Sequence, residues 1–425
     1  MALCLYLPII SIKSAPQTAM EKGRFFNSER NERQMSVTRM FNDVHERAHE
    51  IQRGLPTPDY PVNFQPTFPD ERRLFCGIRD LVAMEGVTTP RDIDYFRTAA
   101  GITAGIVLFG SCHEVVDLRV PAKEKAKAVH QGLEIVGQTE LDGMLAVYRG
   151  LRQSTKPRSD EFESLPDGRV VPSFMGDEVN GKHIDNRTPD PVRMVDSHLQ
   201  ALSIRQELVR GTRGIHIPTA HEALLLAGEL PFIRQDPETG KFYLLSADLP
   251  WIGVRTNRAD GPHVDMLSGV ENTVGVKIDA TSDEDHIRKL TDKLNPDRLP
   301  GKLLFMVRVE LEQLDELELI VGAIAKHSPN SRLLYDMHGA TKKTVNGKVR
   351  AVPDILQGIT NLSEVAQSAG LPLSGGHFET THEDGLECID EDGQLPTHPG
   401  EIDPRLNPSQ TKIVYDHLAN EMRKG

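Results

Sequence analysis

Aromatic side chains are scarce: they make up 5% of the 425 residues and include one tryptophan. That is too few for a wide stacking surface that would hold the bases of a single strand of nucleic acid. An excess of positive charge is also missing. Lys and Arg number 49 against 62 Asp and Glu, a formal net charge of −13, which argues against a general binder of nucleic acid or of an anionic membrane. No apolar run approaches the ~18–20 residues of a membrane-spanning helix. The four cysteines, Cys4, Cys76, Cys112 and Cys388, form no CxxC pair and no disulfide-framework spacing, which points to a reducing, cytosolic compartment. The apolar start MALCLYLPIISIK has no charged stretch before it. A secretory signal is therefore not expected, organelle targeting is not favoured, and Met20 and Met35 stand as alternative starts.

What is present suits a globular protein with a large core, 38% hydrophobic and 26% charged. Residues 1–70 mix charges, prolines and short apolar pieces and read as an irregular N-terminal extension, with one helix expected over Val37–Arg53. From about Arg72 strands and helices alternate, the pattern of parallel α/β architecture. Strands are expected at Ile106–Phe109, Met144–Tyr148, Gly214–Ile217, Phe242–Ser246, Thr273–Ile278, Leu303–Val309, Arg332–Tyr335 and Leu373–Phe378. Helices are expected between most of them, at Ala122–Leu133, Pro191–Val209, Asp283–Leu294, Leu311–Lys326 and Val352–Ala369. The last has Pro353 in its first turn and Gly370 just past its end, matching start and stop signals. Eight buried strands with intervening helices favour a (β/α)8 TIM barrel over residues 71–425. The polar link from Ser159 to Pro189 would then be a loop at the rim.

Four metal-ligand types follow or end strand-like runs: Cys112 in LFGSCHE, His338 in YDMHGAT, Glu379 in GGHFET and Asp403 in EIDPRLN. A parallel barrel brings all its strand ends to one rim, where Cys, His and two carboxylates would form a divalent-metal site of mixed softness. Taken singly, each has an ordinary reading as well. Cys112 suits a core, His338 a turn, and Glu379 and Asp403 helix caps or surface charge. Asp403-Pro404 also reads as turn chemistry.

Cations accumulate at the same strand ends. Arg149, Arg152, Lys156 and Arg158 fall within ten residues, with Ser154, Thr155 and Ser159 among them. This is either a solvated basic loop or a clamp for phosphate or carboxylate. Arg255 follows LPWIG, Lys277 lies in VGVKI and Arg308 in LFMVR. Each is either half of a structural ion pair or part of a pocket for a multiply anionic ligand.

These residues resemble class II 3-deoxy-D-arabino-heptulosonate 7-phosphate (DAHP) synthases from about Ile106 to Leu406. The resemblance rests on KPRS at 156–159, DEVNG at 177–181, RTPDP at 187–191, HEALLL at 221–226, LPWIGVRT at 249–256, VGVK at 274–277, NPDRLPGKL at 295–303, DMHG at 336–339 and DPRLN at 403–407. It implies a (β/α)8 barrel that condenses phosphoenolpyruvate (PEP) with erythrose 4-phosphate with the help of a divalent metal, manganese or cobalt. By the same resemblance Cys112, His338, Glu379 and Asp403 are the metal ligands. Arg149, Arg255, Lys277 and Arg308, with Trp251 beside them, surround PEP. Lys156, Arg158 and Ser159 meet the sugar phosphate. Glu222 is a further active-site carboxylate, and either it or Lys156, with a water, moves the protons. A homo-oligomer, a dimer, is expected.

The chain departs from the family pattern in places. Val254 stands where WIGERT has Glu, Arg152 where a Gly is usual, and Glu310 where TRMG has Gly. Ile402 stands where many members have a second Cys. Arg213–His221 is too short for the helical insertion of feedback-regulated members. The departures at Val254 and Arg152 suggest a modified pocket. They leave open the same chemistry on an amino, imino or dephosphorylated aldehyde, or a barrel that only binds or regulates a partner.

Overall fold

The computed structural model describes residues 43–55, 64–141, 143–158, 160–165, 167–344, 347–390 and 403–424. Met1–Arg47 and Ala48–Gly425 form separate compact units. In the first, residues 43–47 are helical. The start of the helix expected over Val37–Arg53 lies outside the described residues. No helix among the described residues is long and apolar enough to cross a membrane.

The second unit is built on eight parallel strands: β1 (Gly105–Phe109), β2 (Met144–Tyr148), β3 (Ala220–Glu222), β4 (Leu249–Ile252), β5 (Val274–Asp279), β6 (Leu303–Arg308), β7 (Arg332–Asp336) and β8 (Leu373–His377). Their hydrogen-bonded order is β2-β1-β8-β7-β6-β5-β4-β3. A parallel bridge from Tyr148 to Thr219 joins the two edges, and the Tyr148 N–H donates to the Pro218 carbonyl at 2.9 Å. The sheet thus closes into the expected barrel. Helices return between most strands, among them Ala122–Gly137, Val192–Gly211, Glu284–Leu294, Leu314–His327 and Val352–Ser368.

The interior of the barrel is filled from alternating strand positions: Ile106 and Leu108, Val147, Ala220, Leu249 and Trp251, Leu304 and Met306, and Leu334. The helix Pro90–Ile102 adds Phe96 and Ala100 to the same cluster. Its start is set by Thr89, whose hydroxyl accepts from the Asp92 N–H, and by Pro90 in the first turn. The Ala100 carbonyl accepts from Arg332 at the start of β7, so this helix closes the N-terminal end. A larger apolar layer lies between the strands and the outer helices. The C-terminal rim of the barrel is left open for polar chemistry.

Two strand expectations are corrected. Gly214–Ile217 is not a strand. The helix before it ends at Thr212, and Arg213 and Gly214 turn the chain with φ of 56° and 93°. The barrel strand that follows, Ala220–Glu222, carries two polar side chains and therefore shows no apolar run. Phe242–Leu244 is a strand, but it pairs antiparallel with Ile233–Gln235 outside the barrel. The barrel place belongs to Leu249–Ile252, whose Pro250 speaks against a central strand in sequence.

Candidate functional site at the C-terminal rim

Seven of the eight strand ends deliver a side chain to one cavity of about 1030 Å³, and the eighth supplies Glu379, buried behind its wall. After β1 the chain turns at Gly110, with φ 118°, and brings Cys112 to the wall. β2 leads into Arg149, β3 ends on Glu222, and β4 carries Trp251 and leads to Val254 and Arg255. β5 and β6 contribute Lys277 and Arg308. The turn after β7, Met337–Ala340, holds His338. Glu379 follows β8. Asp403 is placed by the pairing of Thr380 with Leu406, in which the Leu406 N–H donates to the Glu379 carbonyl at 2.8 Å.

The four sequence-predicted metal-ligand types meet. Donor atoms of Cys112, Glu379 and Asp403 all lie within 4.8 Å of one another. His338 Nε2 is 2.8 Å from Glu379 Oε1 and 3.6 Å from Asp403 Oδ2. Arg350 steadies the cluster from below: its Nη1 is 2.9 Å from Glu379 Oε2, and its Nε donates to the Thr341 hydroxyl at 2.9 Å. Lys348, on the antiparallel hairpin Thr341–Arg350 that also carries Arg350, pairs with Asp403.

The electrostatics suit a dication. Burial works to raise the Glu379 pKa, but His338 and Arg350 outweigh it and hold the carboxyl well below its ordinary range. Burial and the neighbouring Glu379 push the Cys112 thiol up to about 11. A thiol between two carboxylates stays protonated until a cation arrives, and a bound metal reverses that balance. One sulfur, one imidazole nitrogen and two carboxylates form a set for a first-row divalent metal, so the residues fit such an ion. A second grouping, Asp336, His338 and His377, fits a metal less well. Asp336 Oδ1 already meets both imidazoles, His338 Nδ1 at 2.6 Å and His377 Nδ1 at 3.0 Å, and Oδ2 meets Lys277 Nζ at 3.0 Å.

Beside the cluster lies a cationic floor. The Arg149 guanidinium and Lys277 Nζ lie 5.3 and 5.9 Å from the Trp251 ring centre. Arg149 also approaches Glu379 at 3.4 Å. Burial lowers the Lys277 pKa against the pull of Asp336, and burial raises that of Glu222 against Lys277, Arg255 and Arg149. The Glu222 backbone N–H donates to Gln153 Oε1 at 2.9 Å. Its carboxylate rests on Gly253, where an added Cβ would come within 2.1 Å of Oε1. Across the cavity are Lys156 and Arg158. The Lys156 N–H donates to the Met175 carbonyl at 2.8 Å, Arg158 Nε to that of Phe174 at 2.6 Å, and Arg255 Nη1 to that of Pro157 at 3.1 Å. Ser159 lies outside the described residues.

Arg152 is a correction. It does not line the cavity. Its φ of 67° turns the side chain into the core, where it meets Glu178 at 2.5 Å and Glu229 at 3.3 Å and covers the Phe232 ring at 5.2 Å. Burial raises both carboxylates, but Arg152 and His221 hold Glu229 down at about 2, while Glu178 stays raised. This is a structural ion cluster, and the sequence-level reading of Arg152 as a pocket cation does not hold.

Sequence reasoning missed several residues at the site. Asp336 and His377 end the apolar strands β7 and β8 with no exposure. Their signal was a polar residue inside a buried run, next to motif residues already singled out. Arg350, Lys343 and Lys348 stand on the hairpin Thr341–Arg350, which has no apolar pattern to draw attention to it.

Fold and site together define a parallel α/β barrel that gathers a sulfur, nitrogen and oxygen donor cluster and an anion-binding floor on one rim. A family model described as the Class-II DAHP synthetase family matches residues 57–216 and 199–414, and the chain belongs to that family. A probable phospho-2-dehydro-3-deoxyheptonate aldolase of Pseudomonas fluorescens is 34% identical over 333 residues, covering 74% of this chain and 82% of its own length. The phospho-2-dehydro-3-deoxyheptonate aldolase of Streptomyces coelicolor is 28% identical over 422 residues, 83% and 93% of the two chains. The solved structure of that aldolase from Francisella tularensis SCHU S4 shares the fold, with a TM-score of 0.50 and 15% identity over 82% of this chain and 95% of that one.

Proposed function

We propose that the chain condenses phosphoenolpyruvate with erythrose 4-phosphate and water to give DAHP and inorganic phosphate. The observation that carries this is the convergence of Cys112, His338 and Asp403 with Arg149, Arg255, Lys277 and Arg308 on one cavity, with Glu379 buried against the three donors. Arg149 and Lys277, over Trp251, hold the enol phosphate and its carboxylate with Arg255 and Arg308. Lys156 and Arg158, with Ser159, take the phosphate of the aldehyde. Binding at both ends presents C3 of the enol to the aldehyde carbon and makes the encounter unimolecular.

Cys112, His338, Glu379 and Asp403 would hold a divalent metal, manganese or cobalt, which when bound supplies a Lewis acid for the aldehyde oxygen. The C2–C3 π pair forms the new carbon–carbon bond, and the aldehyde oxygen takes a proton. Water adds to C2, and the resulting hemiketal phosphate breaks its C–O bond to release phosphate and the ketone. Glu222, raised by burial, and Lys156 stand where those protons move.

The test is PEP consumption and phosphate release over a panel of aldehydes, with and without chelator. Turnover with erythrose 4-phosphate that chelator or Cys112→Ala abolishes is expected. Turnover insensitive to both overturns the metal part of the reading. No PEP consumption with any aldehyde overturns the synthase reading.

A further inference from the structure

We propose that Asp336 is a positioning residue that serves two parts of the site at once: it aims His338 at the donor cluster and anchors Lys277 beside Trp251. The proposal rests on the reading above and couples the metal and PEP subsites through one carboxylate. Asp336 is the last residue of β7 and is fully buried. Its Oδ1 accepts from the His338 backbone N–H at 3.2 Å and meets His338 Nδ1 at 2.6 Å and His377 Nδ1 at 3.0 Å. Its Oδ2 is 3.0 Å from Lys277 Nζ.

The geometry sets a tautomer. With a metal on Nε2, the atom that faces Glu379 and Asp403, the one remaining ring proton of His338 would sit on Nδ1 and be donated to Asp336 Oδ1. A carboxylate behind a metal-binding imidazole does this orienting in many sites. His377 completes the arrangement. Its ring stacks on His338, with centroids 5.6 Å apart and planes at 17°, and it meets Trp251 edge-on at 5.3 Å. The His338 ring is thus held by a hydrogen bond and by a face. Lys277, lying over the same Trp251, is tied to the other carboxylate oxygen. An amide at 336 keeps the shape but cannot serve all these partners. It has one acceptor oxygen, and its NH2 would confront either the ammonium or an imidazole N–H.

Two binding measurements and one spectrum test the idea without turnover. Cobalt(II) is titrated by its Cys112-dependent absorption, and PEP by the fluorescence of Trp251, the one tryptophan. Asp336→Asn is expected to weaken cobalt about tenfold to a hundredfold and PEP at least tenfold. Lys277→Met should weaken PEP at least tenfold and weaken cobalt less than Asp336→Asn does. Nitrogen-15 spectra of histidine in the zinc-loaded, unsubstituted protein should show the single ring proton of His338 on Nδ1, a result that does not depend on the variant folding. Asp336→Asn binding both ligands within twofold, or His338 carrying its proton on Nε2, overturns the proposal. An unsubstituted protein with no Cys112-dependent cobalt band and no response to PEP instead overturns the proposed function, and this inference falls with it.

Discussion

Arg152 and Val254 are single residues that stand out equally in sequence, yet their environments separate them. Arg152 is enclosed with Glu178 and Glu229. Arg152→Ala strands two buried carboxylates and should cost about 3–5 kcal/mol of stability. The sign with pH follows from Glu229, whose folded pKa of about 2 lies below its ordinary 4.5. A depressed carboxyl contributes stability above the unfolded value, and that stability is lost as pH falls from about 4.5 toward 2. Denaturant melts should therefore show the Arg152→Ala deficit largest at neutral pH and smaller near pH 4. A deficit independent of pH would exclude this role. Val254, by contrast, lines the cavity beside Arg255. Val254→Glu adds a carboxylate there and should raise turnover with erythrose 4-phosphate if this position selects the aldehyde. An unchanged rate over the aldehyde panel would remove Val254 as the specificity determinant.

At the scale of elements, the end of β4 and the hairpin after β7 carry the precision of the site. Gly253 follows β4 and gives its missing side chain's space to Glu222. Gly253→Ala should displace that carboxylate and lower kcat by about tenfold to a hundredfold with little change in the PEP dissociation constant, read by Trp251 fluorescence and steady-state rates. The scale follows from the sensitivity of general acid–base groups and of positioned groups to small displacements. Six of the barrel strands were legible because their apolar runs are long and bounded by turns. β3 was not, because a three-residue strand with His and Glu has no hydrophobic period to read. β4 was displaced in the reading by a more apolar neighbour that forms a hairpin instead. The hairpin Thr341–Arg350 is polar along most of its length, so its role in holding Glu379 and Asp403 depends on partners 29 or more residues away.

For the whole molecule, the proposed metal ties the C-terminal segment to the barrel. Asp403 lies beyond the last barrel strand, yet it joins Cys112 from β1 and His338 from β7. An ion bound by all of them should stabilise the folded protein as any native-state ligand does. Cobalt at a hundred times its dissociation constant should add about 2.7 kcal/mol, visible as a raised Tm that Asp403→Ala abolishes. An unchanged Tm in saturating cobalt would count against a shared site.

The alternation of apolar runs with helical stretches, and the donor and cation types that end those runs, were already determined by the sequence. They are local patterns of period and punctuation, and the barrel architecture follows from them. Which of those side chains enter one cavity was decided only by the closed sheet. Arg149 reaches Glu379 across 230 residues, and Asp336 joins Lys277 and His377 from two other strands and His338 from a turn. Arg152 leaves the cavity because of one positive backbone angle and two buried carboxylates. Such contacts depend on distances between distant segments and on backbone direction, neither of which a local pattern carries.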